Sequence, residues 1–197
     1  MRRIWVGGSP CSGKSTLAER LASELELAAY HVDDYFYDHA KRASLNSTLK
    51  RITGWSTEQI FLRDVDEMLA DFITLGYEEF PFVLDDLRQA PCKRGGIIEG
   101  CALLPECVDQ VKQKGDTVLY LVASEAFQRF HYARRPWIKS ILLETSRPKQ
   151  AWDNWQKRDA QYAEFIKREA RKYAFPVITV EEGKSLDDIY DAAKAYL

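Results

Sequence analysis

Gly8 to Ser15 set two glycines, a lysine and a hydroxyl at the spacing G-x-x-x-x-G-K-[ST]. The chemistry such a set performs is the holding of phosphate. Successive backbone N–H groups turned inward cradle the anion's oxygens, which calls for glycine where the chain bends tightly and comes close to it, here Gly8 and Gly13. Ser9, Cys11 and Ser12 fill the loop between them and Thr16 follows it. Lys14 is expected to reach β/γ-phosphates as a point charge, Ser15 to ligate Mg²⁺, and the helix beyond to add the positive end of its dipole.

Three further sets of residues suit phosphoryl chemistry. Asp33 is the candidate catalytic base, since an acceptor hydroxyl held near a γ-phosphate needs a carboxylate to orient it and take its proton. Its neighbour Asp34 competes for that role. Glu99, after Gly96-Ile97-Ile98, stands where a Walker B acid would hold Mg²⁺ through its water shell. Arg129, Arg134, Arg135 and Arg147 offer cations for charge developing on a transferred phosphoryl group, with Arg134 the best placed for catalysis and Arg129 beside it for nucleotide binding. Arg158 can reach the phosphates from another side or form a surface ion pair.

These residues need a frame, and the sequence pattern supplies one. Arg3-Ile4-Trp5-Val6 is a β-favouring run, and Leu17, Leu21 and Leu25 with Ala18 and Ala22 form a helical stripe, so strand, loop and helix come in the order a phosphate loop requires. Further strands are expected at 28–32, 96–100, 116–122 and 175–180. Apolar residues from Ser56 to Leu75 recur at three and four, predicting one amphipathic helix, with a second piece from Tyr77 to Arg88. Trp152 to Tyr173 predicts a helix with a packed aromatic face, and Ser185 caps a last one. Apolar strands without alternation, separated by helices, imply a parallel sheet covered on both faces. Ligands then sit at the carboxyl ends of the strands, which is where Asp33, Glu99 and the phosphate loop fall. The loop Glu181 to Lys184 lies at the same edge and is the expected rest for adenine.

The chain has 197 residues, enough for one α/β domain, and a formal charge of −2, which argues against nucleic acid as a main partner. Charge is uneven: residues 56–90 carry nine acids against Arg63 and Arg88, and residues 125–172 carry twelve basic side chains against six acids. Cys11, Cys92, Cys101 and Cys107 show no C-x-x-C spacing and read as reduced thiols of a cytoplasmic protein. No apolar run approaches the roughly 20 residues that span a bilayer, so no membrane association is expected. The pattern is silent on whether the chain is a monomer or a homodimer.

With these parts in order, the chain resembles the P-loop small-molecule kinases of the adenylate kinase-like superfamily. His31-Val32-Asp33 is similar to the segment that holds the acceptor-binding aspartate in chloramphenicol phosphotransferase-like enzymes. Ile97 to Pro105 resembles the E-G-x-H-x-x-P segment of 2-phosphoglycerate kinases, with Ala102 where those carry histidine. The resemblance implies a three-layer α/β P-loop NTPase fold with a five-stranded parallel sheet of order 2-3-1-4-5, and ATP and Mg²⁺ as cofactors. It frames a single kinase domain with a helical acceptor-binding insertion over about 36–92 and a lid over about 129–150. Three activities fit: a kinase acting on a small-molecule hydroxyl, a nucleotide kinase using Arg42, Lys50 and Arg51 for an acceptor phosphate, or a nucleotide-binding switch.

Overall fold

The structure, a computed structural model, describes residues 2–89 and 95–197. Five strands, β1 (Arg3–Gly8), β2 (Ala29–His31), β3 (Gly96–Glu99), β4 (Thr117–Ala123) and β5 (Val177–Val180), form one sheet of order β2-β3-β1-β4-β5. Every neighbouring pair is parallel, with Trp5 opposite Ile98 on one side and Val118 on the other. The expected strand order and layering are both present.

The period-2 geometry of a strand explains why these runs carry no polar face. Ile4, Val6, Leu119 and Leu121 point to one side, into a core with Leu17 and Leu21 of α1 (Lys14–Leu25) and with Ile189 and Tyr190 of α10 (Leu186–Lys194). Trp5, Ile98, Val118 and Tyr120 point to the other. They meet Phe80, Val83 and Leu87 of α5 (Val65–Leu87), Val108 of α6 (Pro105–Val111), and Tyr162 and Ile166 of α9 (Pro148–Lys172).

Between β2 and β3 the chain makes a 3₁₀ turn (Val32–Tyr35) and four helices, α2 (Phe36–Arg42), α3 (Thr48–Ile52), α4 (Thr57–Phe61) and α5. The single helix expected over 56–75 is two. The first closes at Leu62, and Asp64 caps the second, its Oδ1 accepting from the N–H groups of Asp66 and Glu67 at 2.8 and 3.2 Å. The expected break near Leu75 is absent, and α5 runs on through Pro81. An interior proline costs about 3 kcal/mol, which burial of Phe80, Val83 and Leu87 on the same helix outweighs.

After β4 come α7 (Glu125–Tyr132), α8 (Pro136–Leu143) and then α9. The stretch bounded by Pro136 and Pro148 reads in sequence as too polar to pack, and the structure corrects this: Ile138 is buried in a third apolar cluster with Phe61, Met68, Tyr132 and Trp155. Thr57 Oγ1 donates to Glu144 at 2.6 Å and Ser146 Oγ to Glu58 at 2.9 Å, tying the same stretch to α4. Ser185 caps α10 in a reciprocal capping box with Asp188, as expected. Among the described residues no helix is long and apolar enough to cross a membrane.

Candidate active site

The phosphate loop joins β1 to α1. Gly8 lies in the left-handed region at φ 138°, and a Cβ there would sit 1.8 Å from the carbonyl oxygen of Leu121, so only glycine lets the loop leave the sheet beside β4. Ser9 is wholly buried and fastens the loop: its N–H donates to Leu121 O at 2.9 Å and its Oγ accepts from the Ala123 N–H at 2.9 Å. Gly13 caps α1 at φ 84° with open space where a Cβ would point, a cradle shaped for an anion at the helix N-terminus.

A cavity of about 560 Å³ opens above this loop. Cys11, Ser12, Gly13, Lys14, Ser15 and Thr16 line its floor. Gly8 and Ser9 of the same motif are not among its lining residues and hold the loop's shape. Lys14 Nζ donates to Ser9 O at 2.7 Å and to Cys101 Sγ at 3.4 Å. Burial works against its ammonium, but its surroundings, the carboxylates of Asp33 and Glu99 among them, outweigh that, so its pKa stands above that of an ordinary lysine. Burial pushes the Cys101 thiol up to about 12 against the pull of Lys14, so it faces the lysine as a neutral thiol.

Asp33, in the turn after β2, lines the same cavity; Asp34 is not among its lining residues. Glu99 ends β3 and is 2% exposed. Its Oε1 accepts from His31 Nδ1 at 2.7 Å, while Oε2 is buried with no hydrogen-bond partner among the described residues. A buried carboxylate oxygen left open beside Lys14 needs a donor, and the water shell of a cation held by Ser15 would supply one. The residues therefore fit Mg²⁺ in the arrangement expected from the motif, with Ser15 lining the cavity and Glu99 behind it.

The arginines differ from expectation. Arg134 folds back on its own helix, its guanidinium 3.2 Å from the Phe130 ring centre and donating to Phe130 O at 3.1 Å. Arg129 pairs with Glu125 at 2.9 Å and Asp153 at 3.6 Å. Neither lines the cavity; Arg135 and Arg158 do. Arg135 opposes the rise that burial imposes on the Cys11 thiol, which puts its charge over the loop. Arg158 lies on the Phe72 ring at 4.3 Å and donates to Asp159 at 2.5 Å. Asp159 is wholly buried and also accepts from Gln128, Trp155 and Tyr132, so it fixes the arginine's direction. The Glu181 to Lys184 loop is exposed and stands outside the cavity.

Two residues escaped the sequence reading. Glu79, 4% exposed, lines the cavity from α5, and its Oε1 meets His39 Nδ1 at 2.8 Å. His39 Nε2 meets Asp86 at 3.0 Å, and Asp86 also bonds Tyr30 and Arg42. Glu79 stands four residues from Leu75 and from Val83, on the buried stripe of α5, and a charge on such a stripe is the signal that marks it. Phe36, Tyr37, Phe72, Leu75 and Gly76 complete this side of the cavity. Cys92 lies outside the described residues; Cys11, Cys101 and Cys107 are free thiols.

No family model matches the chain, and no curated protein matches it either. Among solved structures, a sugar kinase from Janibacter sp. is similar over 100% of this chain and 94% of its own, with a TM-score of 0.57 at 14% identity. A shikimate kinase from Acinetobacter baumannii, in complex with shikimate, matches over 99% and 90% with a TM-score of 0.53 at 20% identity. An uncharacterized protein from Eubacterium ventriosum matches over 100% and 98% with a TM-score of 0.50 at 16% identity. At these identities the likeness is one of fold, the α/β P-loop fold with its five-stranded parallel sheet.

Proposed function

We propose that the chain is an ATP-dependent kinase that transfers the γ-phosphoryl group to a hydroxyl of a small molecule. The observation that carries this reading is that Lys14 and Asp33 line one cavity that continues past the phosphate loop to a wall of Phe36, Tyr37, Phe72 and Leu75. That wall leaves room for an acceptor. The kinase folds of the similar sugar and shikimate kinases support the same class of reaction.

In this reading the loop N–H groups and Lys14 hold the phosphates, and Asp33 orients the acceptor hydroxyl and takes its proton as the oxygen attacks phosphorus. The bond from phosphorus to the bridging oxygen breaks, and ADP leaves with that electron pair. Mg²⁺, when bound, neutralises charge on the phosphate oxygens. Arg135 and Arg158 face the charge that develops on the moving group. A nucleotide kinase would need cations for an acceptor phosphate, and Arg42 and Arg51 are instead spent on Asp86 at 2.5 Å and Asp71 at 3.0 Å.

The test is ADP release from Mg-ATP, measured alone and against a panel of sugars, polyols and amino alcohols, with the phosphorylated product followed by phosphorus NMR. Slow hydrolysis alone and an acceptor-dependent rise with a new phosphate ester are expected. Fast hydrolysis with no hydroxyl compound present would sink the kinase reading.

A further inference from the structure

The acceptor side of the cavity has a definite charge. Among the described residues, the side chains that reach it from the turn after β2 and from α2 and α5 include two carboxylates, Asp33 and Glu79, and no cation. Among the described residues, Lys41 and the arginines of the same segment are paired with carboxylates, and the remaining lysine, Lys50, does not line the cavity. Arg42 pairs with Asp86 and Asp85, Arg51 and Arg63 with Asp71, and Lys41 with Asp38. Of the cavity's own cations, Lys14 stands in the phosphate loop, Arg135 stands at the start of α8, and Arg158 is bound to the buried Asp159.

Asp33 has a task in the transfer itself. Glu79 has none, yet a carboxylate 4% exposed is held at the cavity surface by a histidine placed behind it. One oxygen is taken by His39, and Oε2 has no protein partner among the described residues. His39 in turn shares its second nitrogen with Asp86, so its charge is divided between two carboxylates and does not fully offset Glu79. A carboxylate oxygen open to a cavity that Phe36 and Tyr37 also line is one that a cation can complete, by an ion pair and by attraction to aromatic rings. An acceptor carboxylate or phosphate would meet two like charges there instead, which disfavours it strongly.

We propose that the acceptor is a hydroxyl compound that also carries a basic amine, an amino alcohol or amino sugar, with Glu79 as the counter-ion of its ammonium and Asp33 on the hydroxyl that is phosphorylated. The inference rests on the kinase reading above.

The experiment compares matched sets with Mg-ATP: glucosamine, N-acetylglucosamine, glucose and glucuronate, and then 3-aminopropanol, 1,3-propanediol and 3-hydroxypropanoate. Affinity is measured by calorimetry with a non-hydrolysable ATP analogue bound, and turnover by ester formation. In the wild type the amine of each set should bind about tenfold or more tighter than its neutral and acidic partners. In Glu79→Gln that preference should collapse, with affinity for Mg-ADP unchanged as the control for folding. The wild-type ranking stands on its own should the variant fold poorly. A preference for the neutral or acidic member, or none, overturns the amine assignment and leaves the kinase reading in place. Failure to bind Mg-ATP, or fast hydrolysis of ATP to inorganic phosphate with no acceptor present, overturns the kinase reading itself.

Discussion

Lys14 Nζ and the carbonyl oxygen of Ser9 stand 2.7 Å apart, so the lysine of the phosphate loop is held by the loop's own backbone. Ser12 Oγ donates to the same carbonyl at 2.8 Å, so that acceptor keeps a partner when the lysine swings toward a phosphate. Lys14→Met, which keeps the aliphatic stem, should therefore cost only about 1 kcal/mol in stability. Its turnover should fall on the order of 10²–10³-fold, the usual loss when one donor to developing charge is removed. Coupled assays of ADP release with thermal melts as a control check both; near-normal turnover would remove Lys14 from the site.

Asp33 and Asp34 are adjacent in sequence, but only Asp33 lines the cavity. Asp33→Asn keeps the shape and loses the proton acceptor, so turnover should drop by about 10²–10⁴-fold with affinity for ATP little changed. Asp34→Asn should behave as wild type. The reverse pattern in steady-state kinetics would move the base to Asp34.

Arg134 and Arg135 offer a sharper contrast, because one stacks on Phe130 and the other faces the phosphate loop. Arg135→Ala should lower kcat on the order of 10²-fold while binding of ADP changes little, since the cation acts on charge present mainly in the transition state. Arg134→Ala should leave stability within about 0.5 kcal/mol, as surface changes do, and kcat close to wild type. Equal losses in both variants would mean that this stretch acts as a unit. Arg158 is a poorer probe, because its removal strands the buried charge of Asp159.

How far these positions are legible in sequence depends on the reach of the interactions that set them. The phosphate loop, the five strands and the turn bearing Asp33 are fixed by local pattern and by the parallel-sheet rule, and all can be read directly. Which of two neighbouring arginines faces the ligand is decided by the turn between α7 and α8, where Arg135 caps α8 and Arg134 turns back on Phe130. Spacing alone carries no trace of that. The course of α5 depends on burial against a sheet that lies far along the chain, which is why the break expected between Leu75 and Tyr77 is absent. Glu79 and His39 are 40 residues apart and meet only through the packing of α2 on α5.

That last pair sets a pH dependence. Both ring nitrogens of His39 face carboxylate oxygens, Glu79 on one side and Asp86 on the other, with the rings of Tyr35 and Phe82 stacked on it. Burial opposes its charge, but the two hydrogen bonds outweigh this and hold its pKa above the usual value. A histidine raised in the folded state lends stability that is fully present below its unfolded value, about 6.5, and is lost as pH climbs through the folded one. Glu79 acts in the same direction from lower pH, because burial raises its carboxyl too. Asp86 acts oppositely: Arg42, His39 and Tyr30 outweigh its burial and lower it, so its contribution disappears only in acid. The melting temperature should accordingly decline on the alkaline side of about pH 6.5. His39→Asn keeps a donor near Nδ1 but no charge; it should lose roughly 1–3 kcal/mol at about pH 6 and flatten that alkaline decline. Thermal melts of both proteins at constant ionic strength, taken from about pH 5 to pH 9, decide the matter. An unchanged alkaline slope in His39→Asn would assign the titration to another group.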